Sequence, residues 1–312
     1  MRLRGCIIAA CLLLVGGLRS YAGVYYVTVA GLGGEPDYEQ RFTAGAKDLD
    51  KAFRASGSSA HVTTLMGADA TKAKLSDALA SVAKEAKSDD DFVLVLIGHG
   101  SYDGTEYKFN LVGPDITGAE LAALCDKIPS KRQLIVNTTS SSGGSVAALQ
   151  RTGRGVIAAT KTGTEKNATV FARYWVEAMQ DPEADTDKND SVSALEAFEY
   201  ATRKTAGFYD SQKRLATEHA VFEDTGRGDP VRTPGENREG MLLSSLTVLR
   251  IGAAQKAAND PARQQLLAKK EALEQKVDEL KYNKPAMDPA DYKKQLTETL
   301  VQLAQVQQKL DK

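Results

Sequence analysis

Two polar turns in this 312-residue chain follow consecutive apolar runs and carry residue types that can perform acyl transfer. The run Phe92–Ile97 leads directly into Gly98-His99-Gly100-Ser101, in which a histidine stands between two glycines. The next apolar run leads into a hydroxyl-rich turn with the sequence NTTSSSGG, residues 137–144. If the two runs are neighbouring parallel strands, the sheet edge brings a base on one turn close to a nucleophile on the other. The alternative interpretation is a structural turn beside a chance histidine.

An acidic segment, Asp185–Glu196, has the spacing of the twelve-residue EF-hand calcium loop. Its oxygen-bearing side chains recur at alternate positions, and apolar Val192 stands at the position that usually faces the core. Asp190 replaces the glycine of the sharp turn, a change that Asp tolerates at some strain. We therefore expect a structural Ca²⁺ site, and the alternative is a solvated acidic loop that caps the next helix. The predicted ligands are Asp185, Asp187, Asn189, Ser191, Ser193 and Glu196.

Strand-like and helix-like segments alternate between residues 25 and 179, which predicts an α/β fold with a mostly parallel sheet and helices on both faces. Thr71 is placed to cap one of the helices. Residues 223–240 are rich in Gly, Pro and charge and predict a long loop, and Met241–Ile251 predicts a final strand. The earlier strands are predicted at Tyr25–Ala30, His61–Met66, Phe92–Ile97, Gln133–Val136 and Gly155–Thr160, and helices at Ala119–Ile128, Val146–Leu149 and Ala168–Met179.

The composition changes from about Ala253 to Lys, Glu, Gln, Ala and Leu, with two apolar stripes of helical spacing. Asn283–Pro289 separates the stripes, so residues 253–312 predict an antiparallel helical hairpin with coiled-coil character. Such a hairpin either packs on itself or the main domain, or serves as an arm for a protein partner or for self-association. The stripes are Leu266, Leu273, Val277, Leu280 and Leu296, Leu300, Leu303, Val306, Leu310.

Residues 1–22 have the features of a secretory signal peptide: a basic start, an apolar run over Cys6–Leu18, and small residues Ser20 and Ala22 before the predicted cut. We expect the protein to be secreted or periplasmic. The alternative is a retained membrane anchor, for which the apolar run is short. No other stretch is long and apolar enough to span a membrane, so none is expected after cleavage.

Charge and cysteine content exclude further classes of protein. The formal net charge of −1 argues against a nucleic-acid binder that relies on overall basicity. Of the three cysteines, Cys6 and Cys11 leave with the signal peptide, so an internal disulfide is excluded in the mature chain. The remaining Cys125 lies in an apolar helical pattern and is expected to behave as a small hydrophobic residue.

Residues 25–252 resemble the caspase-like cysteine peptidases, especially the legumain branch and its bacterial relatives. The resemblance rests on Val29-Ala30-Gly31 with Gly34 and Tyr38, on His99-Gly100-Ser101, on Ser140-Ser141-Ser142-Gly143, on Ala159-Thr160 with Gly163-Thr164-Glu165, and on Phe171-Ala172-Arg173-Tyr174. It implies a caspase-like domain over residues 23–252. It also implies that His99 is the general base, that Ser140 stands at the nucleophile position, and that the Gly100 amide belongs to the oxyanion hole.

The sequence departs from that family at the nucleophile, because Ser140 stands where the peptidases have cysteine. An alcohol is much less acidic than a thiol and needs a well-supported base, and no third residue is evident behind His99. We favour a pseudo-peptidase that binds a peptide or protein in the pocket, and the alternative is a serine-type peptidase or amidase. Specificity is not predictable either, since Glu39 follows Tyr38 where legumain-type enzymes place an arginine and Arg41 is out of register.

Overall fold

The computed structural model describes residues 22–235 and 237–311, so the predicted signal peptide lies almost wholly outside the described residues. Its centre is a six-stranded sheet with the strand order β10-β8-β7-β3-β1-β2. All neighbouring pairs are parallel except β10 with β8. The predicted α/β fold is confirmed. The strands are β1 (Val24–Ala30), β2 (Ala60–Leu65), β3 (Asp91–Ile97), β4 (Gly100–Tyr102), β5 (Tyr107–Phe109), β6 (Ile116–Thr117), β7 (Arg132–Asn137), β8 (Arg154–Ala158), β9 (Ser191–Ser193), β10 (Val221–Glu223) and β11 (Thr247–Arg250).

Helices cover both faces of the sheet, as the alternating sequence pattern predicts. Along β3, Val93, Val95 and Ile97 belong to one apolar core, while the alternate residues belong to the other. Helices α1, α5 and α6 close the first core, and α2, α3 and α4 close the second. The helices are α1 (Pro36–Ala55), α2 (Lys72–Glu85), α3 (Gly118–Cys125), α4 (Val146–Leu149), α5 (Phe171–Ala178), α6 (Ala194–Ser211), α7 (Met241–Ser245), α8 (Gly252–Ala258), α9 (Pro261–Asn283) and α10 (Pro289–Leu310).

A local capping signal sets the start of α2 as expected. The Thr71 hydroxyl accepts a hydrogen bond from the Lys74 amide at 3.2 Å and caps α2.

Cys125 is fully buried on α3, in agreement with its predicted role as a small hydrophobic residue. Burial also raises the pKa of its thiol to about 12, so Cys125 is an inert thiol at neutral pH.

The segment after α6 differs from the prediction. Met241–Ile251 is not one strand: Met241–Ser245 forms α7, and only Thr247–Arg250 is extended. The buried Asp224 carboxylate accepts hydrogen bonds from the Gly240, Leu242 and Leu243 amides, which fixes the start of α7. Strand β11 pairs with β9 in a separate two-stranded sheet rather than joining the main one.

The predicted C-terminal hairpin is present as α9 and α10, with the break between Asn283 and Pro289. Helix α9 also packs against the main body, where Arg250 pairs with Glu271 at 2.6 Å and Gln275 donates to the Ser245 carbonyl at 3.1 Å. Helix α10 packs on α9 and buries only Thr299 and Val306. The structure therefore supports the packing alternative for α9. In the described part of the chain, no helix combines the length and apolar character needed to cross a membrane.

Candidate functional site

The sheet register brings the two polar turns together. Strands β3 and β7 are adjacent and parallel, with Leu96 opposite Asn137 at their carboxyl ends. The Thr138 amide and hydroxyl both donate to the Leu96 carbonyl, at 3.0 and 2.7 Å, so the second turn is fastened to the end of β3. The turns after the two strands are thus neighbours, and this feature of the predicted site is present.

Ser140 contacts the backbone of Gly100 on both sides of the peptide unit. Its hydroxyl donates to the Gly100 carbonyl at 3.0 Å, and the Gly100 amide donates to the same Oγ at 3.2 Å. A Cβ at residue 100 would overlap the Ser140 carbonyl oxygen and Thr139 Oγ1, so this close approach needs glycine. Ser140 itself is only 4% exposed. The hydroxyl is therefore buried, satisfied and held against the turn that carries the histidine.

His99 lies in an aromatic corner next to that contact. Its ring meets Tyr38 and Phe42 edge-on, at centroid distances of 4.6 and 5.1 Å. Burial lowers the pKa of His99 below its usual range, and the nearby Gly33 backbone partly opposes this effect. The lowered pKa favours the neutral imidazole at pH 7.

The described residues contain no hydrogen bond between the His99 ring and the Ser140 hydroxyl. The two predicted catalytic residues are brought to the same edge of the sheet, but each side chain makes its polar contact elsewhere. The backbone amide of Ser140, within the same described set, donates to no protein acceptor. The arrangement can bind an oxygen at that amide, but it does not activate Ser140 through His99.

A buried polar network supports the turn around Ser140. The Asn137 side chain donates to Ser145 Oγ at 3.0 Å and accepts from the Tyr107 hydroxyl at 3.2 Å. Ser141 has a left-handed backbone, with φ of 56°, and its amide donates to the Glu165 carbonyl at 2.8 Å. The Ser142 and Thr160 hydroxyls lie 3.2 Å apart and link this turn to the end of β8. The hydroxyl-rich sequence is largely used in these structural contacts.

The partner of one side chain near the site was missed by sequence reasoning. His219, for which no partner was predicted, lies with Nδ1 2.6 Å from Glu165 Oε1. The Lys161 and His219 amides also donate to the Glu165 carboxylate, at 2.8 and 3.1 Å. Glu165 therefore ties the loop after β8 to the segment before β10.

The Glu39 and Arg41 side chains, which follow Tyr38, already have partners in the structure. The Glu39 carboxylate accepts from the Gly33 amide at 3.0 Å. The Arg41 guanidinium lies over the Tyr38 ring, 4.4 Å from its centroid, and its Nε donates to the Asp37 carbonyl at 3.2 Å. Arg41 nevertheless lies close enough to His99 to help lower the pKa of the imidazole. The rim of the site therefore carries one guanidinium and two aromatic rings.

The acidic loop brings together the carboxylates of its three acidic predicted ligands. Asp185, Asp187 and Glu196 each offer a carboxylate oxygen, and these oxygens lie within 4.8 Å of one another. Asp190 has the left-handed backbone expected at the glycine position, with φ of 66°. Helix α6 begins at Ala194 within the loop, whereas α5 ends at Ala178 and a short 3₁₀ turn precedes Asp185. The flanking helix pattern is thus present on one side only.

The other predicted ligands make protein contacts. Asn189 Oδ1 accepts from the Ser191 amide at 2.8 Å, and Asn189 Nδ2 donates to Asp187 at 3.2 Å. Ser193 and Glu196 form a capping box at the start of α6, the structural role considered as the alternative. Partial desolvation, followed by the Glu196 and Asp185 carboxylates, raises the pKa of Asp187 to about 6. The carboxylates of Asp185, Asp187 and Glu196 therefore repel one another where the two ends of the loop meet.

No family model and no curated protein matches the chain. Solved structures resemble it at low sequence identity. A structural-genomics protein from Geobacter sulfurreducens is 16% identical with a TM-score of 0.47, covering 74% of this chain and 100% of its own. The Drosophila initiator caspase Dronc is 13% identical with a TM-score of 0.43 over 67% and 82% of the two chains. Caspase-1 from Spodoptera frugiperda is 12% identical with a TM-score of 0.48 over 66% and 87%. At these values the activity has to be inferred from the chain's own residues.

Proposed function

We propose that this protein is a non-catalytic binding module built on a peptidase-like scaffold, and that it receives a peptide or protein segment beside His99 and Ser140. The observation that carries the proposal is the two-way hydrogen bonding of Ser140 Oγ with Gly100, in place of a bond to His99. A nucleophilic serine needs its proton shared with a base. Here the hydroxyl proton is given to a carbonyl, and the Gly100 amide of the expected oxyanion hole is occupied by the hydroxyl itself.

The rim of the site supports the binding role. Leu32 is 43% exposed, and its amide donates to the Asn110 carbonyl at 3.0 Å, which fixes the loop after β1 beside the His99 turn. Tyr38 and Phe42 are half-buried around the imidazole. Exposed apolar and aromatic surface beside fixed polar groups is typical of a surface that binds peptides.

A fluorophosphonate probe tests whether the site is catalytic. The probe labels serines that a base has activated, so we expect the wild-type protein and Ser140→Ala to give the same absence of labelling at this site. Labelling of the wild type that disappears in Ser140→Ala would contradict the proposal. A Ser140→Cys variant, compared with the double variant Ser140→Cys/His99→Asn, measures whether His99 can serve a more acidic nucleophile in the same turn.

Peptide binding is tested directly with a displayed peptide library. Sequences that bind the wild-type protein should bind Tyr38→Ala at least ten times more weakly, because the ring forms the aromatic corner. Leu215→Ala is the matched control, since Leu215 is 91% exposed and lies in the loop after α6. A library that yields no binder to the wild type, or binders unaffected by Tyr38→Ala, would argue against this site.

The alternative function is a serine-type peptidase or amidase that uses Ser140 and His99. It is favoured by the lowered pKa of His99, which favours the neutral imidazole, and by the Ser140 amide, which makes no hydrogen bond within the described part of the chain. Activation would require the Ser140 hydroxyl to turn from Gly100 to the His99 ring when a substrate is bound. Labelling by the fluorophosphonate probe separates this function from the binding role.

We also propose that the loop Asp185–Glu196 binds Ca²⁺ as a structural cofactor. The proximity of the Asp185, Asp187 and Glu196 oxygens supports it, as does the raised pKa of Asp187, because a divalent cation would relieve the repulsion. Glu196 and Ser193 at the start of α6 would then link cation binding to the order of that helix.

A further inference from the structure

The first described strand begins with an arrangement at Gly23 that has no role in the site above. The Gly23 nitrogen donates to Asp90 Oδ1 at 2.7 Å, and the Gly23 carbonyl accepts from the Asp91 amide at 2.9 Å. The next amide, that of Val24, donates to the Ser59 carbonyl at 3.1 Å. Gly23 is therefore fixed on both sides of its Cα, with its nitrogen directed at a carboxylate.

Asp90 is a buried acid whose described partners are backbone amides. Its side chain accepts from the Gly23 nitrogen and from the Lys87 amide, the latter at 2.8 Å, and the residue is 9% exposed. Of the charged groups in the described chain, none forms an ion pair with Asp90. A carboxylate removed from water in this way is normally matched by a cation.

Several charges around Asp90 have partners of their own. A cavity of about 1350 Å³ opens beside Gly23, and six of the acids and bases that line it form three pairs. Asp91 pairs with Arg132 at 2.6 Å, Asp89 with Lys131 at 3.7 Å, and Arg250 with Glu271 at 2.6 Å. Lys87 also lines the cavity and takes part in none of the ion pairs among the described residues, but it contacts Asp90 through its backbone amide. The cavity therefore contains solvent-accessible room next to the Gly23 nitrogen.

We propose that Asp90 is the binding site for the chain's own processed amino terminus: removal of residues 1–22 leaves Gly23 with a free ammonium group that forms an ion pair with the Asp90 carboxylate. Hydrolysis of the Ala22–Gly23 peptide bond by a signal peptidase adds one water. The carboxylate goes to Ala22 and the amine to Gly23, and that amine is protonated at neutral pH. Ala22 is exposed whereas Gly23 is buried, so the cut falls where the chain enters the fold.

Cleavage would give the donor nitrogen of Gly23 a positive charge without changing its position beside Asp90. In the uncut chain the Gly23 nitrogen is a neutral amide, and in the cut chain the same position carries a full positive charge 2.7 Å from a buried carboxylate. The bond in the uncut chain already has an ionised acceptor, and cleavage makes the donor ionised as well, which adds the attraction between two opposite charges. Processing would thus complete an ion pair and fasten the start of β1, the strand beside β3.

The first measurement is the mass of the full-length chain after export from a bacterial host. We expect a mature mass that begins at Gly23. A mass that begins at any other residue would overturn the proposal, since the ammonium would then lie away from Asp90.

The second measurement compares melting temperatures of two chains released from a cleavable fusion, one beginning at Gly23 and one at Ala22. Both carry one ammonium group, but only in the first does it lie on the nitrogen beside Asp90. We expect the Gly23 chain to melt about 2 °C or more higher. Equal melting temperatures would overturn the proposal, and this comparison needs no substitution.

The same pair of chains carrying Asp90→Asn identifies the partner. The difference between the two starts should vanish in Asp90→Asn and persist in Asp89→Asn, a matched loss of charge at a side chain that is 83% exposed. A difference that survives Asp90→Asn would assign the effect to another group and overturn the inference.

Discussion

The turn at Ser140 and the loop at Asp185–Glu196 both concentrate side-chain oxygens, but the fold treats them differently. At the turn, the oxygens are neutral and bond to backbone groups, as Ser140 does with Gly100. At the loop, three carboxylates converge, and partial desolvation together with the neighbouring carboxylates raises the pKa of Asp187 to about 6. Backbone amides donate to oxygens in both groups, but only the second group also carries repulsion between charges, which a cation would reduce.

This difference shows why residue type alone does not decide the chemistry of a motif. A hydroxyl at the end of a strand can be a nucleophile or part of a turn, and its hydrogen-bond partner distinguishes the two. A carboxylate cluster can be a capping box or a metal site, and its unbalanced charge distinguishes those.

The largest effect is expected from Gly100→Ala, which disrupts the close contact between Gly100 and the turn at Ser140. The added Cβ would overlap the Ser140 carbonyl and Thr139 Oγ1, so the two strand ends must separate, at a cost of about 3 kcal/mol. Gly207→Ala is the matched control, because that position in α6 has open space around it and Ala favours helix by about 0.5–1 kcal/mol. Chemical denaturation measures both. A Gly100→Ala protein as stable as wild type would show that the contact is dispensable.

The second prediction tests whether the loop responds to a cation. At a concentration about 100 times its Kd, Ca²⁺ should stabilise the wild type by about 2.7 kcal/mol. Asp187→Asn should remove this response yet raise the melting temperature in EDTA, because it relieves the repulsion with Asp185 and Glu196. Glu183→Gln, an exposed acid just before the loop, should leave both values unchanged. A wild-type melting temperature that is the same in EDTA and in millimolar Ca²⁺ would rule the site out.

The inner strands β1, β3, β7 and β8 of the main sheet were predictable because they are buried on both faces and form continuous apolar runs, as Phe92–Ile97 does. The short strands were not. Strand β10 has three residues, and β4 to β6 have two or three each, too few for a period to emerge. One available signal was overlooked: Asp103-Gly104 lies between β4 and β5, and the Asp103 carboxylate accepts from the Thr105 and Glu106 amides.

The composition of the site was predictable in part, and its connections were not. His99, Gly100 and Ser140 could be brought together because parallel strands share their carboxyl edge. The atom to which the Ser140 hydroxyl bonds depends on differences in backbone position of less than about an ångström. Residue identities do not encode such differences. The Glu165–His219 pair joins residues 54 positions apart, and nothing in either local sequence indicates it.

The third prediction compares the contributions to stability of two neighbouring hydroxyls, those of Ser140 and Ser141. Ser140→Ala removes two hydrogen bonds to Gly100 and should cost about 1–2 kcal/mol. Ser141→Ala removes a buried hydroxyl without a described partner, so it should be neutral or slightly stabilising. Thermal denaturation of both variants gives the comparison. If the Ser141 variant were the less stable of the two, the assignment of the Ser140 contact would be wrong.

The smallest effect concerns the pH dependence that His99 adds to folding. Its pKa is lowered in the folded protein, so the unfolded chain binds a proton more readily. The contribution of neutral His99 is therefore complete above about pH 6.5, the ordinary histidine value, and is lost as the pH falls toward the folded pKa. The stability of the wild type minus that of His99→Asn should decrease between about pH 7 and pH 5. A difference that grew on acidification would mean that His99 is charged in the fold, with an acid beside its ring. The turn would then have the support that a catalytic base needs, and the contrast with the acidic loop would disappear.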